Sequence, residues 1–233
     1  CLFNNKKKLM KKKIFITSNL KNLSSIHNLK FININRKKIE KVIFSSVVPE
    51  VFKIIKKYLK KKLGLEAKEL KQFNLSKKLK IDVNKKQVGS DRLANAISVI
   101  NNKDNFIILD FGTATTFDVV LKNRYKGGII APGVNLSLKT LVEKAKLIPN
   151  TKLSKINNII GKNTQNAVKS GFYWGYQGLI KNLINLIEKK NKKKFKIIFT
   201  GGLSHLYKNT IKKKIKVDKD LTIKGLLKLV VTE

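Results

Sequence analysis

The stretch Asp110-Phe-Gly-Thr-Ala-Thr-Thr-Phe-Asp118 directly follows the apolar run Phe106-Ile-Ile-Leu109, and it decides how this chain is expected to fold. A strand that ends in an acid, passes through a tight Gly-Thr turn and re-enters a strand can hold polyphosphate. Gly112 lets backbone N–H groups approach phosphate oxygens, and the Thr113 hydroxyl adds a donor. Asp110 can hold a cation beside that charge. The stretch therefore predicts an ATP-dependent phosphotransferase.

The second half of the chain continues as a three-stranded meander followed by helices. The strands end near residue 130, where Pro132-Gly133 breaks the chain, and apolar spacing of 3.6 then predicts helices. The predicted elements are the strands Phe106–Asp110, Thr115–Lys122, Tyr125–Ile130 and Phe195–Thr200 and the helices Leu136–Leu147, Asn166–Glu188 and Leu221–Val230.

The first half repeats this order. Its predicted elements are the strands Cys1–Phe3, Lys13–Thr17, Lys41–Val48 and Ile81–Val83 and the helices Glu50–Lys62 and Asp91–Ile100. When the halves are superimposed, Val119–Tyr125 corresponds to Cys1–Lys6, and Phe106–Thr116 has no counterpart. We expect a strand of about five or six residues and its phosphate turn to precede Cys1. The fold class is α/β: two RNase H-like halves, residues 1–104 and 105–233, with mixed sheets flanked by helices and a nucleotide cleft between them.

Composition limits the other classes of function. Of 233 residues, 52 are basic and 14 acidic, for a formal net charge of +38, but only Arg36, Arg92 and Arg124 are arginine. Proteins that read nucleic acids favour arginine, whose planar fork pairs with guanine and phosphate. Lysines spread over the whole length indicate a solvated surface rather than a dedicated nucleic-acid face. The single cysteine excludes an internal disulfide, and no apolar run reaches the roughly 20 residues of a membrane span. We expect a soluble cytoplasmic protein.

The chain resembles the type III pantothenate kinases, of the acetate and sugar kinase, Hsp70 and actin superfamily. Eight motifs carry the resemblance, in the order the family has them. They are Ser45-Ser-Val-Val-Pro49, Gly89-Ser-Asp-Arg-Leu-Ala-Asn95, Asp110–Asp118, Gly127-Gly-Ile-Ile-Ala-Pro-Gly133, Leu147-Ile-Pro149, Gly161-Lys-Asn-Thr164, Thr200-Gly-Gly-Leu203 and Leu221-Thr-Ile-Lys-Gly-Leu226. The resemblance implies transfer of the ATP γ-phosphate to pantothenate, the first step toward coenzyme A.

The resemblance also implies roles for particular residues. Gly89, Ser90, Asp91 and Arg92 would hold pantothenate, with Asp91 as the general base. Asp110 would bind a monovalent cation, potassium or ammonium, and magnesium would accompany ATP. Thr164 would reach pantothenate across a homodimer interface. The ATP-binding residues would be Gly112, Thr113, Gly201 and Gly202.

Each site residue also has a purely structural interpretation. Asp91 and Thr164 are good helix N-caps, Asp110 could cap its own turn, Arg92 could form a surface ion pair, and Gly201-Gly202 could be a plain turn. The chain departs from the family at two positions near Asp91: the family commonly has alanine where Ser90 stands and proline where Lys85 stands.

The family normally opens with an Asp-x-Gly-Asn-Thr strand and turn that binds the ATP phosphates, and this sequence lacks it. That agrees with the missing element of the internal repeat, so we expect an N-terminally truncated chain with little or no activity. One alternative function is a basic nucleic-acid-binding or transcription accessory protein of the same fold. Another is a kinase for a different small hydroxylated substrate, against which Gly89-Ser-Asp-Arg argues.

Overall fold

The computed structural model describes residues 1–4, 6–12 and 39–230, and the chain divides into two compact units. The first unit comprises Cys1–Lys80, Asn84–Val99 and Leu221–Glu233, and the second comprises Ile81–Val83 and Ile100–Asp220. Within the described ranges, no helix has the length and hydropathy needed to span a bilayer.

The second unit is built on a six-stranded mixed sheet of β5 (Lys80–Ile81), β6 (Asn105–Phe111), β7 (Ala114–Leu121), β8 (Arg124–Pro132), β9 (Lys196–Gly201) and β10 (Ile215–Val217). The strand order across the sheet is β10-β9-β6-β7-β8-β5. Strands β6, β7 and β8 form an antiparallel meander, β9 lies parallel to β6, and β10 lies parallel to β9. This is the RNase H-like strand order, so the predicted meander and the α/β class are confirmed.

One face of this sheet forms the core of the second unit. Side chains alternate across a strand, so Ile107, Leu109 and Phe111 of β6 point to the same face, and all three are buried. They pack in one cluster with Tyr173 and Ile180. These two residues lie on the long helix Thr164–Asn191, and a shorter helix, Val134–Lys144, also packs in this unit.

The edge strand β5 is held by an ion cluster. Arg124 on β8 donates from Nη2 to Asp82 Oδ1 at 2.7 Å and from Nε to Oδ2 at 3.3 Å, and Lys126 Nζ lies 2.6 Å from the same Oδ2. The backbone N–H of Asp82 donates to the Tyr125 carbonyl. Arg124 thus uses its planar fork in a two-pronged contact that lysine could not make.

The first unit contains two short sheets and three helices in its described part. Strands β1 and β2 are antiparallel, and β3 and β4 are parallel. The first helix has proline at its start and ends at Gly64, whose positive φ of 62° permits the left-handed cap. The elements are β1 (Leu2–Phe3), β2 (Leu9–Lys11), β3 (Val42–Phe44), β4 (Ala67–Glu69), and the helices α1 (Pro49–Leu63), α2 (Ser90–Val99) and α5 (Leu221–Val230). The two helices of the second unit are α3 (Val134–Lys144) and α4 (Thr164–Asn191).

Helix α5 was predicted with the second half but groups with the first unit. It packs on α2 so closely that a Cβ on Gly225 would overlap the Ala94 backbone. Thr222 also donates to the buried Asn95 side chain at 2.7 Å. The predicted helix bounds are confirmed, but the division of the chain at residue 104 does not hold for this helix. The predicted strand Lys13–Thr17 lies outside the described residues.

Candidate active site

The predicted phosphate turn is the hairpin between β6 and β7. Asp110 pairs with Thr116 across the two strands, and Gly112 and Thr113 are exposed at the tip. The Gly112 N–H donates to the Ala114 carbonyl at 3.1 Å, so it closes the turn rather than pointing outward. The Thr113 hydroxyl makes no hydrogen bond to another described residue. Thr113 is therefore the residue of this turn best placed to donate to a phosphate.

Asp110 lies beside Gly201 at the carboxyl ends of two parallel strands. The register pairs Asp110 with Thr200 and Phe111 with Gly201. A Cβ on Gly201 would lie 2.6 Å from Asp110 Oδ1 and 2.6 Å from the Phe111 carbonyl oxygen, and the φ of Gly201 is +84°. Both the conformation and the space require glycine here. In open α/β sheets, ligands bind outside the carboxyl ends of parallel strands.

The oxygen atoms near Asp110 suit a hard cation. Its carboxylate shares a sheet face with the Thr116 hydroxyl, because cross-strand partners point the same way. The Phe111 carbonyl, which accepts the Gly202 N–H at 3.2 Å, also lies at this point. Carboxylate, hydroxyl and carbonyl oxygens are the ligands that alkali and alkaline-earth ions prefer. Among residues 1–4, 6–12 and 39–230 there is no cluster of three or more His, Cys, Asp or Glu that would hold a metal by itself.

Gly201, the last residue of β9, and Gly202, the residue after it, differ in how tightly they are packed. Gly201 is packed against Asp110, whereas a Cβ on Gly202 would meet nothing within 4 Å. The Gly202 N–H is already donated to Phe111. The geometry therefore gives a steric reason for glycine at position 201 only.

Gly133 packs against the backbone of the Gly112-Thr113 turn. The sequence alone did not identify Gly133 as a site residue. It precedes α3, and a Cβ there would overlap the Thr113 carbonyl oxygen and lie 2.7 Å from the Gly112 oxygen. The start of α3 thus packs directly on the backbone of the Gly112-Thr113 turn. The signal in the sequence is the Pro132-Gly133 pair, which marks a break in the chain and ends the motif Gly127–Gly133.

In the first unit, Asp91 lies in the first turn of α2. The helix begins at Ser90, so Asp91 is its second residue rather than its N-cap. Its Oδ1 accepts the N–H of Arg92 at 2.8 Å, and a Cβ on Gly89 would lie only 2.5 Å from that oxygen. Gly89 therefore makes room for the carboxylate. Ser90 is buried, and Asp91 and Arg92 are half-buried.

Thr164 is the first residue of α4 and is exposed. The N-cap is Asn163, whose Oδ1 accepts the N–H of Asn166 at 2.9 Å, so capping does not occupy the threonine. A cavity of about 670 Å³ lies beside this turn, and its wall includes Lys155, Lys162 and Asn166. These side chains are hydrogen-bond donors, which suits a polar or anionic ligand.

The sequence-predicted residues fall into three groups. The structure brings Asp110, Gly112, Thr113 and Gly201 together at one end of the sheet of the second unit. Thr164 lies in the same unit at the start of α4, and Gly89–Arg92 lies in the first unit.

The family model for type III pantothenate kinases matches residues 2–186. The chain belongs to this family.

Individual family members agree closely with this chain. It is 56% identical over 228 residues to a type III pantothenate kinase of Pelagibacter ubique, across 98% of this chain and 92% of the relative. It is 40% identical over 201 residues to one from a Sulfurihydrogenibium species, across 85% of this chain and 79% of the relative.

One solved structure shares the fold. A conserved putative Baf family transcriptional activator from Campylobacter jejuni superposes with a TM-score of 0.58 at 23% identity, across 86% of this chain and 87% of that one. This similarity supports the fold alone. The family match favours a kinase over the nucleic-acid-binding alternative.

Proposed function

We propose that this protein transfers the γ-phosphate of ATP to pantothenate and forms 4'-phosphopantothenate, the first step of coenzyme A biosynthesis. The observation that carries the proposal is the 56% identity over nearly the whole chain to a type III pantothenate kinase. The exposed Gly112-Thr113 turn beside Asp110 provides a place for a polyphosphate that is consistent with it.

In this proposal Asp91 is the general base. The pantothenate hydroxyl oxygen forms a bond to the γ-phosphorus, the bond from that phosphorus to the bridging oxygen breaks, and ADP leaves. Asp91 takes the hydroxyl proton. Phosphoryl transfer depends mainly on positioning and charge stabilisation, so a carboxylate is a sufficient base for it. Gly89, Ser90 and Arg92 hold the substrate on either side of Asp91.

Asp110 would hold the monovalent cation, potassium or ammonium, with oxygen atoms of Phe111 and Thr116 nearby. When bound, that cation would offset negative charge on the ATP phosphates. Thr113 would donate to the nucleotide from the exposed turn, and Gly201 would keep the space beside Asp110 open. Magnesium would arrive with ATP as part of the substrate.

We also propose a cytoplasmic homodimer in which Thr164 contacts pantothenate bound by the partner. Three large apolar side chains near Thr164 in the sequence are exposed: Leu147 at 95%, Ile159 at 69% and Ile160 at 79%. Such side chains are costly to leave in water and are typical of an interface. The lysines on the wall of the neighbouring cavity suit the pantothenate carboxylate.

The proposal is tested on the purified full-length gene product by coupling ADP production to NADH oxidation with ATP and magnesium, with pantothenate and potassium each added or omitted. We expect turnover that requires pantothenate and is raised by potassium. Omitting pantothenate is the control for contaminating ATPase. No pantothenate-dependent turnover under any of these conditions would rule the proposal out.

A further inference from the structure

The loop that leads into Gly89–Asp91 is a defined turn rather than an open connection. The Gln87 N–H donates to the Asn84 carbonyl at 3.0 Å, and the Lys86 N–H donates to Asn84 Oδ1 at 3.0 Å. Lys85 therefore occupies the second position of a four-residue turn. Val88 follows and is buried, so the turn is connected to the core of the first unit just before Gly89.

Two lysine side chains join this turn to the segment before it. Lys85 Nζ donates to the carbonyl oxygens of Lys71 at 3.0 Å and of Phe73 at 3.4 Å. In the other direction, Lys71 Nζ donates to the carbonyl oxygen of Lys86 at 3.1 Å. Each lysine thus binds the backbone of the segment that carries the other, and both are half-buried. We call these contacts the lysine clamp.

The segment that accepts Lys85 is itself rigid. Leu70–Gln72 forms a 3₁₀ turn with a reciprocal capping box: Glu69 Oε2 accepts the Lys71 N–H at 2.6 Å, and Gln72 Oε1 accepts the Glu69 N–H at 2.7 Å. Leu70 and Phe73 are buried. This 3₁₀ turn also contacts α2, the helix that carries Asp91. The lysine clamp therefore fixes the Asn84–Val88 loop against a support that is itself packed on the catalytic helix.

Hydrogen bonds from an ammonium group to carbonyl oxygens are charge-assisted and stronger than neutral ones. Most of the lysines in the described part of the chain are exposed, as is the neighbouring Lys86. Lys71 and Lys85 differ because their ammonium groups donate to backbone carbonyl oxygens of two neighbouring segments that belong to no β-sheet. The two bonds from Lys85 are part-buried, so less water competes for them, whereas the bond from Lys71 is exposed.

We propose that Lys71 and Lys85 are positioning residues for phosphoryl transfer: by clamping the Asn84–Val88 loop they fix where Gly89 and Asp91 meet the acceptor substrate. This inference rests on the proposed function, which makes pantothenate the acceptor substrate. The two lysines touch neither substrate nor ATP in this role. Without the clamp, the loop samples other positions and the Asp91 carboxylate is misplaced for part of the time.

The test compares Lys85→Met and Lys71→Met with Lys86→Met. Methionine keeps an unbranched apolar side chain but cannot donate a hydrogen bond, and Lys86 contributes only its carbonyl to the clamp. Two readouts are used: amide hydrogen exchange of residues 84–91, and KM and kcat for pantothenate and for ATP. We expect exchange in that segment and the pantothenate KM each to rise about tenfold in the first two variants, and kcat to fall, because small misplacements near the chemistry cost up to about 100-fold in rate. The ATP KM should stay at its wild-type value.

Lys85→Pro separates loop positioning from any direct effect of the charge. Proline is favoured at the second position of a type I or II turn, and it fixes φ without an ammonium group. We expect this variant to recover low exchange and a pantothenate KM near wild type. A purely electrostatic role for Lys85 in attracting the substrate would leave Lys85→Pro as impaired as Lys85→Met.

The outcomes distinguish the existence of the lysine clamp from its role in positioning Asp91. Equal exchange in Lys85→Met and Lys86→Met would overturn the lysine clamp, whatever the kinetics. Raised exchange with an unchanged pantothenate KM and kcat would overturn its positioning role alone. A wild-type protein that turns over no pantothenate would overturn the proposed function and the role built on it, while the exchange data would still report on the clamp.

Discussion

The Tyr125 hydroxyl donates a 2.6 Å hydrogen bond to Asp118 Oδ1, and both residues have no exposed surface. Thr116 donates to the other carboxylate oxygen at 3.4 Å. Asp118 is the last residue of the stretch that forms the phosphate turn, and Tyr125 lies on the next strand. Burying a carboxylate is costly unless it is hydrogen-bonded. This pair therefore stabilises the middle of the meander and the strand on which Thr116 lies.

Tyr125→Phe should destabilise the protein by about 1–3 kcal/mol, because the variant removes a hydrogen bond to a buried acid. Urea unfolding followed by circular dichroism measures the change. Tyr173→Phe is the matched control, since Tyr173 is also buried and packs against the rings of Trp174 and Tyr207. Equal destabilisation of the two variants would show that the Asp118 hydrogen bond contributes nothing specific.

Gly133→Ala should destabilise the protein by about 1–3 kcal/mol, because the new Cβ overlaps the backbone of the Gly112-Thr113 turn. The displaced turn should also raise the KM for ATP more than the KM for pantothenate. Gly171→Ala provides the control: a Cβ there meets nothing within 4 Å. Since Gly171 lies inside α4, alanine should stabilise the protein by up to about 1 kcal/mol. Thermal unfolding and steady-state kinetics test both expectations.

Asp91→Asn should lower kcat about 10²- to 10⁴-fold, the usual contribution of a general base. The asparagine carbonyl can still accept the Arg92 N–H, so the start of α2 should remain folded. Steady-state kinetics and a thermal melt of the same preparation separate a loss of catalysis from a loss of stability. Glu66→Gln, which changes an exposed acid of the same unit, serves as the control. A kcat near the wild-type value would exclude Asp91 as the base.

Asp110→Asn should raise the potassium concentration needed for half-maximal activity about tenfold or more, because a neutral amide attracts a cation far less than a carboxylate does. The measurement is a potassium titration at saturating ATP and pantothenate, with ionic strength held constant. Asp104→Asn is the control, as Asp104 lies just before the same strand and pairs with Lys196 at 2.6 Å. If both variants need the same potassium concentration as wild type, Asp110 does not hold the cation.

Asp82→Asn should reduce stability at neutral pH by up to about 1 kcal/mol, as expected for a largely exposed ion cluster. The hydrogen bond from Lys126, and after it the contacts with Arg124, lower the pKa of Asp82. A carboxyl whose folded pKa is depressed stabilises the fold above its unfolded pKa, and this contribution is lost as pH falls through the folded pKa. The stability difference between wild type and Asp82→Asn should therefore be present at pH 7, begin to shrink as the pH falls below about 4, and vanish only below the lowered folded pKa. Urea unfolding midpoints of both proteins, measured across this pH range, test the expectation. A stability difference that grew as the pH fell would contradict the lowered pKa of Asp82.

The prediction from sequence was most successful where the pattern is local. Alternating apolar residues in Phe106–Leu109 and 3.6 spacing in α5 gave elements that match the observed strand and helix closely. The Gly112-Thr113 turn also follows from adjacent residues. The grouping of α5 with the first unit could not be found this way, because it depends on contacts such as Thr222 with Asn95, which are 127 residues apart.

By itself, the sequence determined the family, the order of the elements and the position of the Asp110–Asp118 hairpin, because each is encoded in contiguous residues or in local periodicity. Only the tertiary structure decided that Gly133 packs against Thr113, that Tyr125 satisfies Asp118, and that Lys85 binds the Lys71 carbonyl while Lys71 binds the Lys86 carbonyl. These contacts depend on which groups meet after the chain has folded. A lysine that binds a carbonyl and a lysine in water look the same in the sequence, and only the packing around the ammonium group distinguishes them.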